Sequence, residues 1–168
     1  SEELPAGGRR RSSGHRRGPA GRPEVVYLPA CVNTMFGSAV PQEETLEFSV
    51  LSLLTAAGIG VTVPQGIEAV CCGTPWKSKG MTTGYATMRR RVVDIMQEAT
   101  HDGELTVISD AVSCSEGFVH ELEYEGVTGI RVVDAVQYIA DELLPVLPDL
   151  PKLRSAALHP TCSSTRMS

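Results

Sequence analysis

The chain has 168 residues, of which 42% are hydrophobic and 21% are charged, a composition that supports one sizeable core with or without a tail. The formal net charge of −5 combines a basic N-terminal segment with an acidic remainder. Residues 1–22 carry six arginines and two acids, whereas the rest of the chain carries 9 basic and 18 acidic residues. The acidic remainder argues against nucleic acid as the main partner. No apolar run approaches the roughly 20 residues of a transmembrane helix, and the N-terminus has no signal-peptide core, so we predict a cytoplasmic protein that could still attach at the inner face of a membrane through a partner.

Residues 1–22 are rich in Gly, Arg, Ser and Pro and contain almost no large apolar side chain. Such a segment cannot bury enough surface to offset the entropy of ordering, so we predict a disordered basic tether. Its basic run, Arg9 to Arg11, could dock on phosphate or on an acidic partner, but a solvated tether between domains is the simpler interpretation.

From residue 24 onward, short apolar runs alternate with apolar stripes at helical spacing. The predicted strands cover residues 24–30, 59–63, 105–108, 129–134 and 153–158. The predicted helices cover residues 41–58, 81–99, 115–123 and 136–147, with Arg89, Arg90 and Arg91 on a solvated face. This alternation predicts an α/β fold, namely a three-layer, Rossmann-like open parallel sheet of about five strands with helices on both faces.

The five cysteines occupy the loops after the predicted strands. Cys31 follows the first strand, the pair Cys71 and Cys72 follows the second, and Cys114 follows the third. Because the carboxyl ends of parallel strands meet at one edge, where ligands collect, we expect these four sulfurs to converge. They would suffice for a tetrahedral zinc ion or for the corners of an iron–sulfur cluster, with buried structural thiols as the alternative.

An internal repeat links the two ends of the chain. The spacing Pro-x-Cys-x-x-Thr occurs at residues 29–34 and again at residues 160–165, each time directly after a predicted strand. Repeats at long period indicate duplicated units. We therefore expect one complete cysteine module over residues 23–151 and the start of a truncated second module over residues 152–168, in which Cys162 would open another ligand set.

The cysteine pattern resembles a known family. The spacing of Cys31, Cys71-Cys72-Gly73 and Cys114 is similar to the cysteine-rich CCG domain found in heterodisulfide reductases, in the iron–sulfur component of glycolate oxidase and in FAD-linked D-lactate dehydrogenases. The sequences of three segments are most similar to the FAD-linked D-lactate dehydrogenase branch of this family. These segments are residues 27–37, 71–80 and 159–163.

The resemblance implies a C-terminal redox module of a FAD- and iron–sulfur-dependent 2-hydroxyacid dehydrogenase. Its partners would be the flavin and ferredoxin-like modules of the parent polypeptide and a respiratory electron acceptor, and this fragment alone would not turn over substrate. Cys31, Cys71, Cys72 and Cys114 would then be cluster ligands, and Gly73 would permit close approach. The family pattern often ends Cys-x-x-Cys, whereas Cys114 here has Ala111 three residues before it and Gly117 three residues after it.

Two other functions stay open at this point. One is a zinc-stabilised, non-catalytic interaction domain that docks an electron-transfer partner. The other is a thiol hydrolase or transferase built on Cys114 with His120 and Asp110. Three further residues are predicted to support the cysteine site. Trp76 would be a packing lid, and Lys77 would be either a cation near the thiolates or a solvated lysine. His159 would either orient Cys162 or simply fill space.

Overall fold

The computed structural model describes residues 11, 13–16, 24–36, 44–148, 154–157 and 159–167. Five strands in these segments form one sheet in the order β1-β3-β2-β4-β5. They are β1 (Gly14–Arg16), β2 (Val25–Leu28), β3 (Val61–Val63), β4 (Thr106–Ser109) and β5 (Val132–Asp134). The four strands from β2 to β5 are parallel, and β1 joins the β3 edge antiparallel.

The central strand β2 explains why the parallel sheet forms. All four of its residues are buried, as are Val107 and Ile108 of β4 beside it. A parallel sheet covered by helices on its faces needs such continuous apolar strands, since neither face meets water. These strands and the helices packed on them make one hydrophobic core.

The helices surround this sheet, and each begins soon after a strand or loop that positions it. They are α1 (Cys31–Phe36), α2 (Leu46–Ala56), α3 (Thr74–Ser78), α4 (Thr82–Thr100), α5 (Val112–Tyr124), α6 (Ala135–Tyr138), which continues as a π-helical turn over Ile139–Leu143, and α7 (Cys162–Met167). Because the chain moves from β2 to β3 in one direction and then back to β4 and β5, right-handed crossovers require α2 on one face and α4 and α5 on the other. Helices α4 and α5 do contact each other. Within the described segments, no helix has both the length and the apolar character needed to cross a membrane.

The α/β fold with a parallel sheet is as predicted, and four predicted strands are confirmed with shorter bounds. The predicted strand over residues 153–158 is wrong: residues 154–157 have no regular structure and are exposed. Those residues are mostly small or charged, so they offer little apolar area for burial. The parallel part of the sheet therefore has four strands rather than about five. Helix α5 also begins three residues earlier than predicted.

The N-terminal segment is partly ordered, contrary to the prediction of a disordered tether over residues 1–22. Residues 14–16 form β1, and Arg11 is buried. Composition did not predict this because an edge strand is held mainly by backbone hydrogen bonds to its neighbour, which need no apolar side chains. The other residues of the predicted tether, apart from Ser13, lie outside the described residues, as do positions 41–43 of the predicted first helix.

Arg89 was predicted on a solvated face, and this is also wrong. Its side chain is buried, and its Nε donates to Oε1 of Glu125 at 2.5 Å. The guanidinium lies 3.6 Å from the ring centroid of Tyr124 and 5.4 Å from that of Tyr85. Cation–π contacts and an acidic partner together allow an arginine to be buried on an otherwise apolar stripe. Arg90 and Arg91 are exposed, as predicted.

Candidate functional site

The sheet order creates a switch point at the carboxyl edge, between β2 and β4. The chain leaves β2 toward β3 on one side, and it later places β4 on the other side of β2. The loops after β2 and β4 therefore diverge, which opens the crevice where open α/β sheets bind ligands. Cys31 begins α1 just after β2, and Cys114 lies in the first turn of α5, after β4.

Asp110 ties the two loops at the switch point together. Its Oδ2 accepts a hydrogen bond from the Tyr27 hydroxyl at 2.8 Å, and its Oδ1 accepts one from the backbone N–H of Ala30 at 2.6 Å. Its backbone carbonyl accepts a bond from Nδ2 of Asn33 at 3.3 Å. These contacts hold the start of α1, and so Cys31, against the end of β4.

The twin-cysteine loop reaches the same edge through a glycine turn. Gly73 has a φ of +69°, in the left-handed region that favours glycine, and the next residue, Thr74, starts α3. The Cys71 backbone N–H contacts Sδ of Met88 at 3.3 Å, and Sγ of Cys72 lies 3.4 Å from the Thr74 hydroxyl. The turn therefore presents two adjacent sulfurs together with the backbone N–H groups at the start of α3.

One stripe of α5 packs directly on this turn. Cys114, Gly117 and Glu121 are spaced three and four residues apart, so they share a helix face. A Cβ atom on Gly117 would lie 2.7 Å from the carbonyl oxygen of Cys72 and 3.1 Å from the Cβ of Cys72. On Gly73, a Cβ atom would meet the carboxylate of Glu121 and, at 2.5 Å, the ring of Tyr85. Both glycines are thus needed for the close contact of the two segments.

Cys72 and Cys114 form a hydrogen-bonded thiol pair, and both side chains are buried. The bond from the Cys114 thiol, with further bonds from the Thr74 hydroxyl and backbone N–H, lowers the pKa of Cys72 despite its burial. The same bond, together with burial, raises the pKa of Cys114. The two shifts have opposite directions, so within the pair Cys72 is the more acidic thiol.

Cys31 and Cys71 are partly exposed and lie within electrostatic range of this pair. Burial raises the pKa of Cys71, and the nearby sulfurs of Cys72 and Cys31 raise it further. Hydrogen bonds from the Gly73 backbone and the Trp76 side chain act in the opposite direction. Charge on Cys31 also raises the pKa of Cys114. The four sulfurs thus influence one another across a single region of the sheet edge.

Glu121 is a buried acid that the sequence pattern did not reveal. Its side chain is fully buried, and neither carboxylate oxygen has a hydrogen-bond partner among the described residues. Burial raises the pKa of Glu121 to about 8, with a further contribution from the neighbouring Cys72 and a smaller opposing one from Arg89. The spacing of Gly117 and Glu121 from Cys114 on one helix face was the available signal, but an acid on a helix is usually solvated.

A pocket of about 320 Å³ lies beside Cys72, between α3, α5 and α7. Lys77 and His120 line it, as does Arg166 from α7. The two Glu116 carboxylate oxygens bind Arg166, and one of them accepts a bond from the Ser163 hydroxyl at 2.6 Å. The pocket therefore has a mixed polar lining, and only one of the paired thiols, Cys72, is among its walls.

The remaining predicted site residues lie elsewhere or have other partners. Cys162 and His159 are exposed. His120 pairs with Glu123 at 3.2 Å, and the Asp110 side chain is bonded to the β2 region. Among the described residues, neither His120 nor Asp110 hydrogen-bonds Cys114. The predicted arrangement of a cysteine nucleophile with these two residues is therefore not present in this part of the chain. Trp76 packs its ring against Gly84 and also faces Cys71.

In the described part of the chain, no three His, Cys, Asp or Glu side chains are grouped so that they could hold one metal ion. Comparisons of the chain with protein-family models, with curated proteins and with solved structures find no match.

Proposed function

We propose that this chain is a cysteine-rich redox module of the CCG type, which carries electrons within a FAD- and iron–sulfur-dependent 2-hydroxyacid dehydrogenase. The flavin and ferredoxin-like modules of such a parent, and a respiratory acceptor, would be its partners. The observation that carries the proposal is the contact of Cys72 with Cys114 at the carboxyl edge of the sheet, with Cys71 and Cys31 within electrostatic range.

Two features of the site support a bound iron–sulfur centre. The donors are thiol sulfurs, the ligand type that such clusters take. Cys72 has a lowered pKa, which favours the thiolate form that binds metal.

The spacing of the sulfurs bears on which metal centre fits. A tetrahedral zinc ion draws four donors to about 2.3 Å from one point. In an iron–sulfur cluster each iron takes its own thiolate, so the sulfurs stand farther apart. Iron with acid-labile sulfide would therefore distinguish a cluster from the zinc-stabilised alternative.

The related pattern often ends Cys-x-x-Cys, but the residues three before and three after Cys114 are Ala111 and Gly117, so this end of the chain supplies one sulfur. Gly117 contacts Cys72, and a side chain at that position would collide with the twin-cysteine turn. The ligand set we propose is therefore Cys31, Cys71, Cys72 and Cys114, and a cluster bound by them would supply one-electron transfer.

The protein's own residues would serve this site by orientation and by exclusion of water. Asp110 fixes the start of α1, and Gly73 and Gly117 bring two cysteine-bearing segments into contact. Trp76 and the backbone N–H groups of Gly73 and Thr74 direct hydrogen bonds at the sulfurs, an environment that tunes the potential of a bound centre.

Metal and sulfide analysis of anaerobically purified protein tests the proposal. We expect iron and acid-labile sulfide in the wild type, and loss of both in the Cys72→Ser and Cys114→Ser variants. Cys162→Ser is the matched control, because Cys162 is exposed and lies outside the proposed set. Stoichiometric zinc without sulfide would instead favour the interaction-domain function, and a wild type that takes up neither metal after reconstitution would contradict both.

A further inference from the structure

Arg11 connects the N-terminal segment to the cysteine site. Its side chain is only 8% exposed, and it reaches between two loops rather than into solvent. One guanidinium nitrogen, Nη1, donates to the carbonyl oxygen of Pro29 at 3.2 Å, and the other, Nη2, donates to the carbonyl oxygen of Val70. Pro29 lies two residues before Cys31, and Val70 lies immediately before Cys71.

The two carbonyls belong to the ends of neighbouring elements. Pro29 follows β2, and Val70 follows the turn of 3-10 helix, Ile67–Ala69, that comes after β3. The strands β2 and β3 are paired only at Val25–Val61 and Val26–Thr62, so the ladder does not fix the spacing of the loops beyond them. The guanidinium of Arg11 joins these two loops directly.

Strand β1 anchors this bridge. Gly14, three residues after Arg11, pairs with Val63 at the carboxyl end of β3. The antiparallel pairing directs the preceding residues of the chain toward the carboxyl edge, where the cysteines lie. The arginine therefore reaches the two loops from an ordered strand.

We propose that Arg11 is a positioning residue of the cysteine site, whose guanidinium holds the loop before Cys31 and the loop before Cys71 at a fixed separation. The bridging role of Arg11 is inferred from its two hydrogen bonds alone, whereas its importance for electron transfer rests on the proposed function. Arginine suits this role because its planar fork places two donor nitrogens on two acceptors at once. Lysine keeps the charge but has a single nitrogen.

Alkylation of the thiols in the metal-free, 168-residue chain tests the bridge. Rates at Cys31, Cys71 and Cys162 are measured by mass spectrometry in the wild type and in the Arg11→Ala and Arg11→Lys variants. Since each variant frees at least one buried carbonyl and unties the loops, we expect both to raise the rates at Cys31 and Cys71 by roughly tenfold. The exposed Cys162 is the internal reference and stays unchanged. Arg91→Ala, a change at an exposed arginine of α4, is the matched control.

Four outcomes would overturn the proposal: unchanged rates in Arg11→Ala, an equal rise at all three cysteines, wild-type behaviour of Arg11→Lys, or an equal effect of Arg91→Ala. An equal rise would indicate general loosening of the fold, and wild-type behaviour of Arg11→Lys would indicate that charge rather than the bridge matters. If Arg11→Ala does not melt cooperatively, Arg11→Lys decides. The readout needs no metal, so it stays separate from the iron and sulfide analysis that tests the redox function.

Discussion

Gly117 of α5 lies against the carbonyl oxygen of Cys72, so close that a Cβ atom on Gly117 would stand 2.7 Å from that oxygen. The same atom would be 2.9 Å from the Thr74 hydroxyl. Glycine in the middle of a helix normally costs about 1 kcal/mol relative to alanine. Its presence here is explained by the contact it permits between the cysteine-bearing turn and α5.

Gly117→Ala is therefore expected to destabilise the protein, although alanine is the better helix former. The methyl group must displace backbone atoms of the twin-cysteine turn, for which we expect a net loss of about 1–3 kcal/mol in the free energy of unfolding. Urea denaturation followed by circular dichroism measures this loss. Gly14→Ala is the control, because a Cβ atom at Gly14 meets nothing within 4 Å. If Gly117→Ala instead raised the free energy of unfolding, the twin-cysteine turn would be able to move away from the added methyl group without loss of stability.

The acidity of Cys72 is expected to depend on the thiol of Cys114. In metal-free protein, the alkylation rate of Cys72 should rise with a midpoint below that of an ordinary thiol, because the bond from Cys114 is the largest cause of its lowered pKa. Cys114→Ala removes the donor and should shift the midpoint upward, whereas Cys114→Ser retains a hydroxyl donor and should shift it less. Cys162→Ser serves as the control, and a Cys72 midpoint that is the same in all variants would contradict the pairing.

The sequence predicted the parallel sheet because its central strands are continuous apolar runs, such as residues 25–28, bounded by prolines and glycines. The positions of the loops that carry the cysteines could then be predicted from the order of the strands along the chain. Strand β1 was missed because its three residues, Gly-His-Arg, have no apolar pattern. Arg11, Arg89 and Glu121 were missed for a shared reason: charged side chains are usually solvated, and only the fold provides the carbonyls, aromatic rings and apolar walls that bury these three.

The pairing of Glu116 with Arg166 is expected to hold α7 on α5. Both carboxylate oxygens of Glu116 bind the guanidinium, and the hydrogen bond from Arg166 lowers the pKa of Glu116 to about 2. Glu116→Gln should therefore speed hydrogen exchange of the amides in residues 162–167 at pH 7. Glu123→Gln, a change at an exposed acid of the same helix, should leave them unchanged. Equal exchange of α7 in wild type and Glu116→Gln would mean that other contacts hold the helix.

Glu121 is expected to make stability fall as the pH rises. The unfolded carboxyl ionises near its ordinary pKa of 4.5, whereas the folded one does so only near about 8, since burial is the main cause of the raised pKa. Between these values the unfolded state has released a proton that the folded state still binds, so ionisation favours unfolding. Below about pH 4.5 both states are neutral, and above about pH 8 both are charged. The loss therefore accumulates between pH 4.5 and 8.

Glu121→Gln should remove this loss, because glutamine does not ionise. Thermal and urea denaturation of metal-free protein should show equal changes with pH for the wild type and Glu123→Gln, whose side chain is 67% exposed. Glu121→Gln should gain relative to both from pH 4.5 upward, by an amount on the order of a few kcal/mol at pH 8. A gain of the same size at pH 4.5 and at pH 8 would instead indicate a packing effect of the amide. The pH dependence thus distinguishes a buried ionisable group from a merely unsatisfied one.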